Sequence, residues 1–250
     1  MTVESENDLQ YLKAVGRLCA EALRKMMKLA QPGITTAELD QVGRELLEAG
    51  GARSAPQLMY NFPGATCISI SPVIAHGIPG SYALKDGDLI HIDVSAELDG
   101  YYADTGASLV VSGHAQAEPV AGKLLEATKA ALWKALHAAR AGRPLNEIGR
   151  AVQMEARKRG YQTIVDLTGH GIGRKLHEAP KEILNFYNPR DKRILNDGLV
   201  LAVEPFLTTG KGHILEERDG WSLRTTDLSM AAQFEHTIVV TRGEPMILTM

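Results

Sequence analysis

Across residues 8–30, Leu9, Leu12, Val15, Cys19, Leu23, Met26 and Met27 recur every three or four positions, the spacing that gathers apolar side chains on one face of a helix. Pro32-Gly33 ends that pattern, and Thr35 with Glu38 forms a capping-box signature ahead of a second helix closing at Gly50-Gly51. From 66 to 111 the period shortens to β-rich runs. Two of these, 88–97 and 101–111, flank Asp99-Gly100, a dipeptide that predicts a two-residue hairpin turn. A third helix is predicted over 116–140, and a fourth from Asn146, as its N-cap, to near Gly160. The runs 199–207 and 233–241 read as further strands.

Helix, helix, strands occurs twice, which suggests an internal duplication. Pro32-Gly33-Ile34-Thr35 is echoed loosely by Arg143-Pro144-Leu145-Asn146, and His76-Gly77-Ile78-Pro79 by His170-Gly171-Ile172-Gly173. Asp86-Gly87 followed by an apolar run to Asp93 aligns without a gap to Asp197-Gly198 and its run to Glu204. The expectation is one domain over 1–250 made of two halves, about 1–113 and 114–250. If these face each other about a pseudo-twofold axis, His76 and His170, and Asp93 and Glu204, converge on one site.

Composition narrows the class of protein without changing that picture. The 250 residues carry 27 Lys and Arg against 30 Asp and Glu, for a net charge of -3, and 44% are apolar. These values exclude a disordered or fibrous chain and argue against a DNA or RNA binder, which concentrates basic residues on one face. Only Cys19 and Cys67 are present, so neither a disulfide framework nor a four-cysteine zinc site is available, and a reducing compartment is the simpler reading. The acidic, polar start differs from a secretory signal, and no apolar run is long enough to span a membrane. A cytoplasmic protein with no membrane partner is expected.

The chemistry lies in acids set among apolar residues. A two-residue turn at Asp99-Gly100 pairs Asp93 with Gly106, which puts Asp104 on the same sheet face as Asp93. A solvent-facing pair of acids is the alternative, but Asp93 lies in the run 89–94, Glu204 in 199–206, and Glu235 between Phe234 and the run 238–240. Acids in such buried strands are paired or bound to metal. Four carboxylates and His170 suit two divalent ions bridged by shared oxygens. An oxygen-rich set with one imidazole and no thiolate favours Mn, Fe or Co, with Zn also permitted. Two such ions lower the pKa of a bridging water and polarise a carbonyl, which is hydrolase chemistry.

Over nearly its whole length the chain resembles the type I methionine aminopeptidases in their short bacterial form, whose α+β pita-bread fold is shared with prolidases and creatinase. The motifs are His76-Gly77-Ile78-Pro79, 92–95 through 99–105, 169–173 through 177–180, Val203-Glu204-Pro205 and Gln233-Phe234-Glu235-His236-Thr237. The resemblance implies that Asp93, Asp104, His170, Glu204 and Glu235 ligate a dinuclear centre, with Asp104 and Glu235 bridging. It implies Glu204 as general base, and His76 and His177 as donors to the substrate backbone and the tetrahedral intermediate. A methionine side-chain pocket is implied around Phe62, Cys67 and Trp221, with Met59 and Leu176 standing where relatives often carry aromatics. Ser71 stands where many relatives have Asn. His91, His114, His137, His213 and His236 are read as structural.

The family's substrates are N-terminal Met peptides and nascent chains with a small second residue, which implies a ribosome surface as partner and a monomeric enzyme. Thr2 is small, so the resemblance further implies removal of the chain's own initiator methionine. The expectation is a short form without the N-terminal zinc-finger or proline-rich extension of eukaryotic type I enzymes, and the 31-residue step from Glu204 to Glu235 leaves no room for the helical insertion typical of type II enzymes. Two other readings are an X-prolyl aminopeptidase or prolidase, whose members usually carry an additional N-terminal domain, and a non-catalytic peptide-binding homologue, whose members typically lose metal ligands.

Overall fold

Two reciprocal caps start the chain's first helices. In the computed structural model, which describes residues 1–112 and 119–250, Asp8 N donates to the Ser5 hydroxyl and Ser5 N to the Asp8 carboxylate, opening α1 (Glu6–Leu29). Thr35 and Glu38 exchange the same pair of bonds at the start of α2 (Thr36–Ala49), as their spacing predicts. The short elements β1 (Arg53–Ser54), α3 (Ala55–Tyr60), β2 (Cys67–Ile70) and β3 (Val73–Ala75) lead into the long hairpin β4 (Leu89–Leu98) and β5 (Tyr101–Val110). Asp99 and Gly100 have φ of 53° and 82°, the pair of positive values that a type I′ turn requires. That turn fixes the expected register, with Asp93 opposite Gly106 and Asp104 opposite Ser95.

The later chain forms α4 (Pro119–Ala138), α5 (Asn146–Lys158), β6 (Gln162–Thr163), β7 (Thr168–Gly171) and β8 (Glu178–Leu184). The start expected for the third helix, at 116–118, and His114 lie outside the described residues. Asn146 is not the N-cap of α5. Leu145 holds that position without a side-chain cap, and the Asn146 amide instead donates to the carbonyls of Asn188 and Asp191, tying down the loop after β8. The remaining strands are β9 (Val200–Val203), β10 (Phe206–Thr208), β11 (Ile214–Glu216), β12 (Leu223–Thr225), β13 (Ala231–Gln233), β14 (His236–Val239) and β15 (Met246–Ile247).

The runs 199–207 and 233–241, predicted as single strands, are each interrupted. β9 and β14 pair in a sheet ordered β15-β14-β9-β7-β8, whereas β10 and β13 pair in a separate sheet with β6. The interruption falls at Glu204-Pro205 on one run and Phe234-Glu235 on the other. Pro205 has no N–H for a ladder, and on the other run Glu235 N donates across to Gly106 O of β5. The ribbon therefore changes sheets where its two acids lie.

One face of the β4–β5 hairpin is covered by α1 and the other is left for the acids. Ile90, Ile92, Val94 and Ala96 are fully buried in the same core as Leu12, Val15 and Cys19, and the Cys19 thiol donates to Ala103 O at 3.5 Å. The alternate residues His91, Asp93 and Ser95 face a cavity. β5 is stitched to β14 by Thr237, whose hydroxyl accepts from Asp104 N at 2.9 Å and donates to Asp104 O at 2.8 Å.

At the hairpin tip, Tyr101 stacks on Tyr11 at 5.0 Å and lies under the Arg174 guanidinium at 3.7 Å. The Tyr101 hydroxyl and Arg174 both donate to Asp8 Oδ1, at 2.7 and 2.9 Å. The cluster joins the start of α1 to the connection between β7 and β8. Bonds from Tyr101 and then Ser5 lower the Asp8 pKa from 3.8 to about 2. A carboxyl whose folded pKa is depressed stabilises the fold above its unfolded pKa and loses that contribution as pH falls through the folded value. The gap in urea midpoint between wild type and Asp8→Asn is therefore constant above about pH 4 and closes towards about pH 2. A gap that persists undiminished at low pH contradicts this account of the cluster.

Candidate active site

Five side chains reach one cavity of about 390 Å³ from four places in the fold. Asp93 and Asp104 come from the shared face of β4 and β5, and His170 from β7, where it pairs with Ala202 of β9. Glu204 and Glu235 come from the ribbon's interruption. The pairs Val203–His236 and Phe206–Gln233 keep one register across that break, which sets Glu204 opposite Glu235. His170 Nε2 lies 3.5 Å from Glu204 Oε1 and 4.0 Å from Asp104 Oδ2. One potential ligand atom each from Asp104, His170 and Glu235 lies within 4.8 Å of the other two.

Asp104, His170 and Glu235 are 7%, 3% and 2% exposed, and Asp93 and Glu204 are half-buried. Burial, followed by repulsion from Asp104, raises the carboxyls of Asp93, Glu204 and Glu235 well above their ordinary range. Burial also raises Asp104, to about 6, against a hydrogen bond with Asp93 that pulls it down. Asp93 Oδ1, Asp104 Oδ1 and Glu235 Oε1 are buried with no hydrogen-bond partner, a costly arrangement for protein atoms alone. His170 Nδ1 is 3.0 Å from the Gly171 carbonyl, which only accepts, so Nδ1 carries the hydrogen and Nε2 presents its lone pair to the acids. Burial, with His177 beside it, lowers the His170 pKa to about 3, so its approach to Glu204 is not an ion pair. Orphaned carboxylate oxygens around a neutral imidazole nitrogen fit divalent cations in both charge and ligand type.

The cavity's apolar end contains Phe62, Cys67, Trp221 and Leu176. Phe62 and Trp221 meet edge to face, with ring centres 5.1 Å apart at 83°. Cys67 sits opposite Asp93 in the β2–β4 ladder, and burial pushes its thiol pKa up. Met59 is not in the lining. It is 37% exposed, and its sulfur accepts from the Tyr102 hydroxyl at 3.5 Å. Its neighbour Tyr60 faces the cavity instead, with its hydroxyl 2.8 Å from His177 Nδ1. Ser71 also lies outside the lining; its backbone N–H bonds Leu89 O.

His76 and His177 both face the cavity. His76 is a non-glycine residue at φ 54°, a conformation that surrounding structure must enforce. Both rings keep solvent contact through the cavity mouth, yet the protein around them lowers both pKa values, His177 to about 4 by burial and then by His76. The His170 and His177 rings lie 4.0 Å apart. Of the remaining histidines, His213 bonds Asp166, His236 bonds Thr249, and His137 bonds Trp133 O.

His91, read from sequence as structural, lines the cavity and bonds Gln233, which in turn bonds Glu235. Strand alternation from Asp93 was the available signal for His91. The aromatic Tyr60 directly follows Met59 in the sequence. The same alternation from Glu235 was the available signal for Gln233, which opens the motif 233–237.

The sequence pattern of metallopeptidase family M24 matches residues 10–242. Methionine aminopeptidase 2 of Bacillus subtilis is 48% identical over 250 residues, spanning 100% of this chain and 99% of the relative. The crystal structure of methionine aminopeptidase from Rickettsia prowazekii superimposes with a TM-score of 0.94 at 36% identity, covering all of both chains. The prolidase from Pyrococcus horikoshii shares the fold alone, with a TM-score of 0.78 at 19% identity over 100% of this chain and 63% of that one.

Because the acids repel one another, chelator-stripped protein should gain stability from a divalent ion, about 2.7 kcal/mol at a hundredfold excess over Kd, which raises Tm by about 5–10 °C for a chain of this size. Asp104→Asn should raise the Tm of the stripped protein and abolish most of the ion's effect. Scanning calorimetry of the two proteins with and without Mn checks both; a stripped variant less stable than stripped wild type contradicts the repulsion argument.

Proposed function

The chain belongs to metallopeptidase family M24, and on that premise we propose that it is a methionyl aminopeptidase, a metal-dependent hydrolase acting on peptides with N-terminal methionine. Its fold is the α+β pita-bread arrangement. The observation that carries the proposal is a cluster of four carboxylates and a neutral imidazole beside an apolar end of one cavity, a shape suited to an unbranched thioether side chain. We read residues 1–250 as one catalytic domain whose halves, 1–113 and 114–250, arose by duplication. Asp93 within β4 and Glu204 just after β9 occupy corresponding places in the two repeats, which supports that reading.

In this proposal Asp93, Asp104, His170, Glu204 and Glu235 are the residues that would hold two divalent ions, Asp104 and Glu235 being the ligands both would use. Bound there, Mn, Fe, Co or Zn supplies Lewis acidity and an activated water. Glu204 takes a proton from the attacking water and passes one to the leaving amine. Its place opposite Glu235 and beside His170 supports that role. Phe62, Cys67 and Trp221 receive the methionine side chain, and the edge-to-face ring pair gives the sulfur an aromatic neighbour. His177 Nδ1 is engaged by the Tyr60 hydroxyl, and in the tautomer in which that hydroxyl donates, the His177 hydrogen is on Nε2, free to bond the substrate's carbonyl oxygen as negative charge develops. His76, whose pKa burial lowers as it does that of His177, is the second donor.

The reading also covers the enzyme's setting: nascent chains with a small second residue as substrates, a cytoplasmic location, a ribosome surface as partner and a monomeric enzyme. Among the described residues no helix is long and apolar enough to cross a membrane.

Chelator-stripped protein titrated with Mn, Fe, Co or Zn should release free methionine from Met-Ala-Ser. Glu204→Gln should lower kcat by about 10²- to 10⁴-fold. Phe62→Ala should cut kcat/KM by about 10- to 100-fold through lost apolar and aromatic contact. Amino-acid analysis of the reaction checks all three; absence of free methionine with every ion contradicts the assignment.

A further inference from the structure

A buried hydrogen-bond chain crosses the site and has no part in the mechanism above. His91 stands on β4 two residues before Asp93, and Gln233 ends β13 two residues before Glu235. They are 2% and 1% exposed. His91 Nε2 lies 2.8 Å from Gln233 Oε1, and Gln233 Nε2 lies 3.1 Å from Glu235 Oε2.

Donor and acceptor roles in this chain are forced from one end. In the ionised form that binds a cation Glu235 only accepts, and Gln233 turns its NH2 group towards it. The Gln233 oxygen then faces His91, whose Nε2 must carry the hydrogen. A glutamine side chain has two amide orientations of nearly the same shape, and the other one would set an oxygen against the carboxylate. His91 removes that choice.

The surroundings hold the pair in place. Gln233 N donates to the Ser108 hydroxyl at 2.9 Å, and that hydroxyl donates to Gln233 O at 3.0 Å, fixing the backbone from β5. Opposite Asp93, Gly106 leaves the room the contact needs. A Cβ there would lie 2.7 Å from both His91 Nε2 and Gln233 Oε1. The result is a division of labour on Glu235: Oε2 is engaged by Gln233, while Oε1 is buried without a partner.

We propose that His91 and Gln233 are positioning residues for Glu235, with His91 fixing the Gln233 amide so that one carboxylate oxygen is held and the other stays free for a divalent cation. The proposal rests on the reading of Glu235 as a metal ligand. Partners of this kind typically change metal affinity by about 10- to 100-fold when removed.

The test is calorimetric titration of Mn into chelator-stripped protein, with thermal unfolding of each stripped variant as a check of folding. His91→Leu should weaken Mn binding by about 10- to 100-fold, while His91→Gln, which keeps a donor, should recover most of the loss. Gln233→Met should lose as much, and adding His91→Leu to it should cost little more, because the two act as one unit. Should His91→Leu fail to fold, Gln233→Met and His91→Gln carry the comparison. His91→Leu binding Mn as tightly as wild type overturns the proposal, as does a full His91→Leu penalty in the Gln233→Met background. Wild type that binds no Mn and releases no methionine overturns the underlying reading of the site; wild type that does both while the variants match it overturns only the positioning role.

Discussion

Mutual repulsion among Asp93, Asp104, Glu204 and Glu235 is the constraint on which the rest of this structure depends. Four carboxyls sharing one side of a cavity cannot all be ionised by the protein's own means. Their pKa values are all pushed upward, chiefly by burial. Among the described residues no Lys or Arg forms an ion pair with them, and the imidazole beside them is neutral. Such a cluster weakens the fold unless positive charge is brought to it, and three orphaned oxygens mark where that charge belongs.

Holding the acids in place against their repulsion explains several features that are odd in isolation. The ribbon breaks its ladders at Glu204 and Glu235, and the freed Glu235 N–H is taken up by Gly106 O of the hairpin. Thr237 clasps the backbone of Asp104 on both its N–H and its carbonyl. Thr105 donates its hydroxyl to Glu235 O at 2.9 Å. The hairpin and the ribbon are thus joined residue by residue where their acids meet. α1 packs the reverse face of the hairpin so that Asp93 and Asp104 have a rigid base.

Much of this was legible because the governing signals are local. Asp99-Gly100 admits one turn geometry, and strand alternation then places Asp93 and Asp104 on one face. Acids embedded in runs of Val, Ile, Leu and Phe announce their burial. What was not legible depends on partners distant in sequence. Nothing near 199–207 says that the strand changes sheets beyond Pro205's missing donor, and Asn146 left its expected capping role because two carbonyls some forty residues away offered better partners. The choice of Tyr60 over Met59 follows from where α3 ends, at Asn61 in the left-handed conformation. Gln233 stands in the motif 233–237, but its bond to His91 becomes visible only when the two strands meet across the cavity.

The central claim is that the acids are arranged to share two divalent ions. Anomalous diffraction from a crystal grown with Mn tests it most directly. The account predicts two adjacent peaks, about 3.5–4 Å apart, with Asp104 and Glu235 between them, Asp93 on one side, and His170 and Glu204 on the other. A single peak, or peaks ligated by residues outside this set, would contradict it.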